Sequence, residues 1–425
     1  MKKIFGTAIT VLLAMTLLAA CASAQTGNAT GGGTGNASPT TAPTTAAQLA
    51  RELNAMNEGS ARASGNTVTL TRGTGVQRDL TIPAGVTLEL TGDGGLWLHN
   101  NVTLTVNGTV NAPSNTIGFD GGANARAITI NGNGTINLTS KGQLINWGGD
   151  GNGKKLTLDG VTLVGVPDND SALVNVGEGA ELVMKSGAIR GNTSTSNDYA
   201  GGGGVNLWHG TFTMEGGAIS GNSALGTRGS SGGGVSIGEG SVFTMSGGTI
   251  TDNNALANNA HGGGGGAYVN EGGTFILEGG AISGNFAKSD GGGVYVHMGT
   301  FTMKGGTISG NITGPDPREG ASGGGVLVNG TFTMEGGTIS GNTAADEGGG
   351  GVGVYRQGTF IMIGGTIYGS NEGNNSNTAP TGAAVMAYGT ARWGTGGTYT
   401  KGGVNQSGGG NIGNTNDTLI AIPAR

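Results

Sequence analysis

From Thr67 onward the chain alternates apolar and polar residues at period two. "TVTLT", "DLTIP", "VTLEL", "VTLTV", "AITI" and "TINLT" all read this way, and each is broken by Gly, Asn or Asp. Period two puts successive side chains on opposite faces, so each segment predicts a short strand with one narrow apolar face. Farther along, a second and longer period appears. "GTFTMEGGTISGN" at Gly330–Asn342 repeats the text of Gly210–Asn222 with one change, Ala218 for Thr338. Aligned on the apolar residue ahead of the glycines, the units fall at Met184, Met214, Met245, Leu277, Met303, Met334 and Met362, spaced 26 to 32 residues apart.

A period in the twenties to thirties made only of strands and turns signals a solenoid. One unit, Gly291–Asn311, contains "GVYV", "TFTM" and "TIS". Val294 and Val296 share a face, Phe301 and Met303 share another, and Ile308 points inward alone. Three short strands per turn describe one coil of a parallel β-helix, with the coils stacked ~4.8 Å apart. The expected fold is therefore all-β, a parallel β-helix of roughly eleven to thirteen coils over 66–425, with clear repeats over 173–371. Asn192, Asn222, Asn253, Asn285, Asn311 and Asn342 end the third strand at one phase, where an amide can bond its counterpart one coil away. The Gly pair after Glu335 suits a sharp corner.

One helix is predicted in the mature chain. In "AAQLARELNAMNE" Leu49, Leu53 and Met56 share a helical face and Thr45 can cap the start. Residues 46–57 are expected to cap the N-terminal end of the stack, because repeat arrays need atypical terminal units. The alternative is a helix belonging to the tether. That tether is 21–45, which is small, polar and rich in Thr, Gly and Pro. Before it, Lys2 and Lys3 precede an apolar run over 4–20, which reads as a signal peptide.

Gly 95 and Pro 9 make up about a quarter of the chain, a level that elsewhere marks collagen or disorder. There is no G-X-Y period, and the glycines alternate with strands. The net charge is −6, and loss of Lys2 and Lys3 takes the mature chain to −8. Without a basic stripe, nucleic-acid binding has no electrostatic footing.

Leu18-Ala19-Ala20-Cys21 resembles the lipobox of bacterial lipoproteins, and Cys21 is the only cysteine in the sequence. The resemblance implies signal-peptide cleavage before Cys21, acylation of Cys21 and attachment to a membrane through that lipid. Ala22 is compatible with sorting to the outer membrane. The alternative is an ordinary secretory signal cut near Ala24. The repeats, for their part, resemble the right-handed parallel β-helix superfamily, the pectin-lyase-like fold, and glycine-rich repeat proteins of bacterial cell surfaces. "GGAI" at Gly216–Ile219 and Gly279–Ile282, with "GGTI" in four other units, is similar to half the repeat signature of chlamydial polymorphic outer membrane proteins. The other half, F-x-x-N, is missing. The resemblance covers roughly residues 66–400 and implies a right-handed solenoid, but that fold carries enzymes and adhesins alike.

Candidate chemistry is sparse. Charged residues are 11% of the chain, whereas the family's polysaccharide lyases and hydrolases need clustered acids with Arg or Lys. Asp290, Glu319 and Glu347 each precede a "GGG" and are candidate Ca²⁺ ligands along one edge; the alternative is solvated turn residues. His209 and His297 follow the same strand one position out of phase, and His99 and His261 lie in other contexts, so no metal site is expected. Nor is a catalytic residue or a cofactor. Trp97, Trp147, Trp208 and Trp393 fall in unrelated phases. On the outward face of the first strand, Tyr268, Tyr295 and Leu327 align on adjacent coils as a candidate contact column. Alternatively a loop such as "ITGPDPREGAS" folds over them. The leading expectation is a non-catalytic, monomeric, lipid-anchored surface protein that meets host, matrix or carbohydrate partners. A polysaccharide-active β-helix enzyme is the alternative.

Overall fold

The computed structural model describes residues 42–119, 126–148, 154–196, 199–226, 229–257, 262–315, 322–346, 348–393, 398–401, 404–407, 410–412 and 414–422. The period-two segments are strands, and each pairs in parallel with its counterpart one coil away. Among the described residues they build sheets of thirteen, seventeen and nine strands, with smaller sheets of six and three. One coil shows the path. The chain enters through Val294–Val296 in the nine-stranded Val wall and turns into Thr300–Met303 in the thirteen-stranded Phe wall. It then crosses Thr307–Ser309 in the seventeen-stranded Ile wall, rounds Asn311, and continues into Ile312–Thr313 of the six-stranded sheet.

The chain is an all-β parallel solenoid of about ten turns. At its C-terminal end the described chain stops climbing. Leu419–Ile422 pairs antiparallel with Gly365–Ile367, and Gly410–Asn411 pairs antiparallel with Trp393 and Arg392. Thr398–Lys401 and Val404–Ser407 form an antiparallel hairpin beside them. The returning chain occupies the free edges of the Ile and Phe walls, which would otherwise offer unpaired backbone to another chain.

Because register is kept from coil to coil, like stacks on like. Phe212, Phe243, Phe275, Phe301, Phe332 and Phe360 are fully buried, and neighbouring rings lie nearly parallel with centroids 4.7–5.0 Å apart. Carbon atoms in contact sit ~3.5–4.0 Å apart, so rings at strand spacing must tilt and offset, the arrangement aromatic pairs favour. Met303 is fully buried between Leu277 and Met334, as its phase requires. Ile189, Ile219, Ile250, Ile282, Ile308, Ile339 and Ile367 line the third wall in the same way. At the corner after Met303, Gly306 has φ +79, and a Cβ there would lie 2.8 Å from the Gly280 carbonyl of the coil below. Both the conformation and the approach require glycine.

The asparagines form a fully buried ladder. The Asn253 side-chain oxygen accepts from the backbone N–H of Asn222 at 3.0 Å and from its Nδ2 at 3.1 Å. Nδ2 of Asn253 in turn donates to Ile219 O at 2.9 Å and to Asn285 Oδ1 at 3.0 Å. The same pattern repeats at Asn285, Asn311 and Asn342 and ends on Asn377. Each amide thus satisfies three neighbours inside a dry corner, where an unmade bond costs ~1–3 kcal/mol.

At the other end, helix Ala46–Met56 carries a capping box: Thr45 accepts from Gln48 N, and the Gln48 side chain accepts from Thr45 N. Leu49 and Leu53 are fully buried and belong to the same hydrophobic core as Val68 and Leu70, with Met56 packed against it. Asn54 ties the helix to the Ala61 backbone in both directions at 2.8 Å, and Asn57 Nδ2 reaches Gly73 O at 2.8 Å. The helix therefore covers the first strands, as a cap would. Glu52 is buried on its inner side 3.8 Å from Arg78. Burial raises its carboxyl above the ordinary value, and Arg78 only partly offsets this.

Two outcomes follow from this packing. Asn253→Ala strands the Asn222 donors and the Ile219 carbonyl, so chemical denaturation should show a loss of several kcal/mol, about 1–3 for each group left unpaired. Asn254→Ala, one residue on and only half-buried, should cost far less; equal losses would contradict the ladder's role. For Glu52 the folded carboxyl binds its proton more tightly than the unfolded one. Its contribution to stability is therefore largest at low pH and falls as pH rises from the ordinary Glu value through the raised one. Glu52→Gln should raise the melting temperature at pH 7 and flatten its pH dependence above the ordinary Glu range. A lower melting temperature at pH 7 would mean that the Arg78 pair outweighs desolvation.

Candidate functional site

The route from the Asn corner back to the Val wall changes along the solenoid, and this creates the surface features. In the coil of Asn169 only four residues separate the corner from Val174, whereas in the next coil twelve separate Asn192 from Val205. The extra length runs outside the Val wall as a three-stranded ribbon, Tyr199–Gly201, Gly229–Ser231 and Gly262–Gly263. Single bridges at Asp290, Ser322, Gly348 and Thr381 continue it. The chain then reverses through the "GGG" and enters the wall. At Gly291, φ is +60 and a Cβ would lie 2.4 Å from the Val294 carbonyl, so the reversal is available only to glycine.

This ribbon corrects the expected contact column. The register aligns Tyr268, Tyr295 and Leu327 on successive coils, but they do not form an exposed line. Leu327 is fully buried and Tyr295 is 7% exposed. The Tyr295 ring lies against the ribbon at Gly263, where a Cβ would come within 2.3 Å of it. Tyr268 is half-buried, edge-on to Tyr295 at 5.4 Å. Tyr295 is covered by the excursion that leads into the preceding coil, at Gly263; the segment ITGPDPREGAS lies largely outside the described residues. Asp290 belongs to the ribbon: it is 3% exposed and accepts from the Tyr355 hydroxyl at 3.0 Å. It registers with Ser322, three positions past Glu319, and Ser322 with Gly348, one past Glu347. Glu319 and Glu347 themselves lie outside the described residues.

The histidines are dispersed. His297 registers with Trp208, so His209 is one step out of phase with it. His297 shares a 3.2 Å hydrogen bond with the Tyr295 hydroxyl, while His209 packs edge-on against Trp208 at 4.9 Å. His99 is described on the first coils, where its ring lies against Gly75. His261 lies outside the described residues, as do Cys21 and the Trp393 side chain. Among the described residues no group of three or more His, Cys, Asp or Glu comes together. Trp147 is buried, whereas Trp97 and Trp208 are exposed in different walls.

What the sequence reasoning missed is the step where the ribbon begins. Ahead of it the outer face of the Val wall is open, and there Asn146, Asn175 and Asn206 form a second amide ladder. Asn175 Nδ2 donates to Asn146 Oδ1, and Asn206 Nδ2 donates to Asn175 Oδ1, both at 3.0 Å. A cleft of ≈ 180 Å³ lies at the step, lined by Gln143, Asp170, Ser171, Ala172, Asn175, Ser194, Gly201 and Asn206. Its one charged side chain is Asp170, whose Oδ1 accepts from Ser171 Oγ at 2.9 Å. The signal was present in the sequence: three asparagines at one phase, and the jump from four residues to twelve between corner and wall.

No protein-family model, curated protein or solved structure matches this chain. The parallel β-helix therefore rests on the coil geometry itself.

Proposed function

We propose that the protein is a non-catalytic display scaffold of the bacterial cell envelope, held to a membrane by a lipid on Cys21 and meeting its partners through the outer surface of the solenoid. One observation carries the reading. The recurring Phe, Met, Ile, Asn and Gly are each used in stacking, in the buried ladder or in a corner, and the Thr that recurs on the outward face of the Phe wall is a residue exposed strands favour. Repetition is thus explained by construction alone. A solenoid whose outward strand positions are rich in Thr and Ser suits presentation at a distance from a bilayer, and the Thr-, Gly- and Pro-rich 22–45 suits a flexible connection. The half-signature shared with polymorphic outer membrane proteins and the lipobox at Cys21 support the same location.

The test has two arms. Cys21→Ser should block acylation and move the protein from washed membranes to the soluble fraction; retention of the variant would contradict the anchor. The purified domain, incubated with neutral and acidic polysaccharides, should release neither new reducing ends nor unsaturated products. Clear turnover would replace the scaffold with an enzyme.

A further inference from the structure

We propose that Asn329 is a modification site, where the side-chain amide is lost without an enzyme through a cyclic imide formed with the Gly330 backbone nitrogen. Asparagine is a thermolabile residue, but this route has conditions. The nitrogen that follows must be free to attack, its own residue must not hinder the approach, and water must reach the imide. Glycine hinders least, because it has no Cβ. Among the described residues Asn-Gly also occurs at Asn107-Gly108, Asn131-Gly132 and Asn133-Gly134. In these pairs the glycine N–H donates to a carbonyl of a neighbouring coil, to Ile82 at 3.2 Å, Asp159 at 3.1 Å and Val106 at 2.7 Å respectively. The Gly330 N–H donates no hydrogen bond among the described residues.

The architecture of the corner explains why the nitrogen is left bare beside an asparagine. Val328 ends the Val wall, Thr331 begins the Phe wall, and only Asn329 and Gly330 lie between them. A Cβ on Gly330 would come 2.4 Å from the Gly299 carbonyl oxygen of the coil below, so close packing demands glycine there. It does not demand asparagine before it. Asn270, His297 and Tyr355 fill the same corner position in other coils, where each N–H donates to a Val-wall carbonyl at 2.7–2.9 Å, as Asn329 does. Asn329 and Gly330 are both half-buried, so water reaches them. The Asn329 amide makes no hydrogen bond among the described residues that would hold it away.

The step is a substitution at the side-chain carbonyl. The Gly330 nitrogen gives up its proton and bonds Asn329 Cγ, while the bond from Cγ to the amide nitrogen breaks and ammonia leaves. Water then opens the imide at either of its carbonyls. One opening leaves aspartate; the other leaves isoaspartate, in which the main chain runs through the former side chain and is one carbon longer. Either product adds a negative charge. The longer one also loosens the corner. Asn329 N–H is bonded to Val296 O at 2.8 Å and Thr331 N–H to Gly299 O at 3.0 Å, and two residues between strands in fixed register leave no slack for an added carbon.

The folded full chain is incubated in heavy-oxygen water at mildly alkaline pH and then digested in ordinary water, so that only conversion before digestion carries the label. Peptide mass spectrometry should find labelled aspartate and isoaspartate at position 329. They should form about tenfold faster than at Asn270, which shares the corner position but precedes Glu271, a barrier difference of about 1.4 kcal/mol. Asn107, Asn131 and Asn133 should stay intact in the folded chain and convert alongside Asn329 once denaturant unfolds it. Asn329→His should abolish the label at this position and melt like the parent, because His297 already fills that place one coil away. The isoaspartate form, separated by chromatography, should melt below the aspartate form. An unconverted Asn329, or equal conversion at Asn133 in the folded chain, would overturn the proposal. Aspartate without isoaspartate would overturn the imide route, and equal melting of the two products would overturn the loosening of the corner.

Discussion

Parallel pairing in constant register between successive coils is the interaction on which everything else depends. A strand pair fixes its partners ~4.8 Å apart, so a residue placed inward on one coil meets the residue of the same phase on the next. Rings and side chains that recur therefore stack on themselves, as the six phenylalanines do at 4.7–5.0 Å. The register would slip easily if hydrogen bonds between strands were alone in holding it, because strands of three and four residues are short. The Asn corner prevents this. Each amide recognises the next by two bonds and the Ile backbone below by a third, so a coil shifted by one residue would bury unsatisfied donors.

Much of this was legible in the chain because repetition exposes phase. Seven aligned apolar residues located the Phe wall, and Met303 lies where its phase predicted, between Leu277 and Met334. The Asn ladder and the capping helix were also readable, the first from period, the second from Thr45 and the Leu49/Leu53 face. Three things were not. The antiparallel return of Leu419–Ile422 has no repeat to announce it. Burial of Tyr295 and Leu327 depends on an excursion whose direction a strand pattern does not encode. The cleft arises where a regular feature is absent, and period-based reading looks for what recurs.

That contrast divides the molecule's labour. The recurring Phe, Met, Ile, Asn and Gly turn inward or sit at corners, and there they serve the stack. Departures from the repeat, such as the short passage from Asn169 to Val174, shape the outer surface. The two ends follow the same logic, each closed by chain that does not belong to the repeat: a helix with Leu49 and Leu53 at one, and antiparallel strands at the other. Closed ends keep a stack of open strand edges from recruiting further chains.

Native-state hydrogen exchange resolved to single amides tests the central claim, that the Asn corner holds the coils in register. The backbone amides of Asn222, Asn253, Asn285 and Asn311, which donate to the side chain of the next coil, should exchange only through the largest opening, together with the Phe-wall amides. Those of the outer ribbon at Gly229–Ser231 should exchange through smaller, local openings. Asn-corner amides that exchange as readily as the ribbon's would show that the ladder is incidental and that the stack is held by its walls alone.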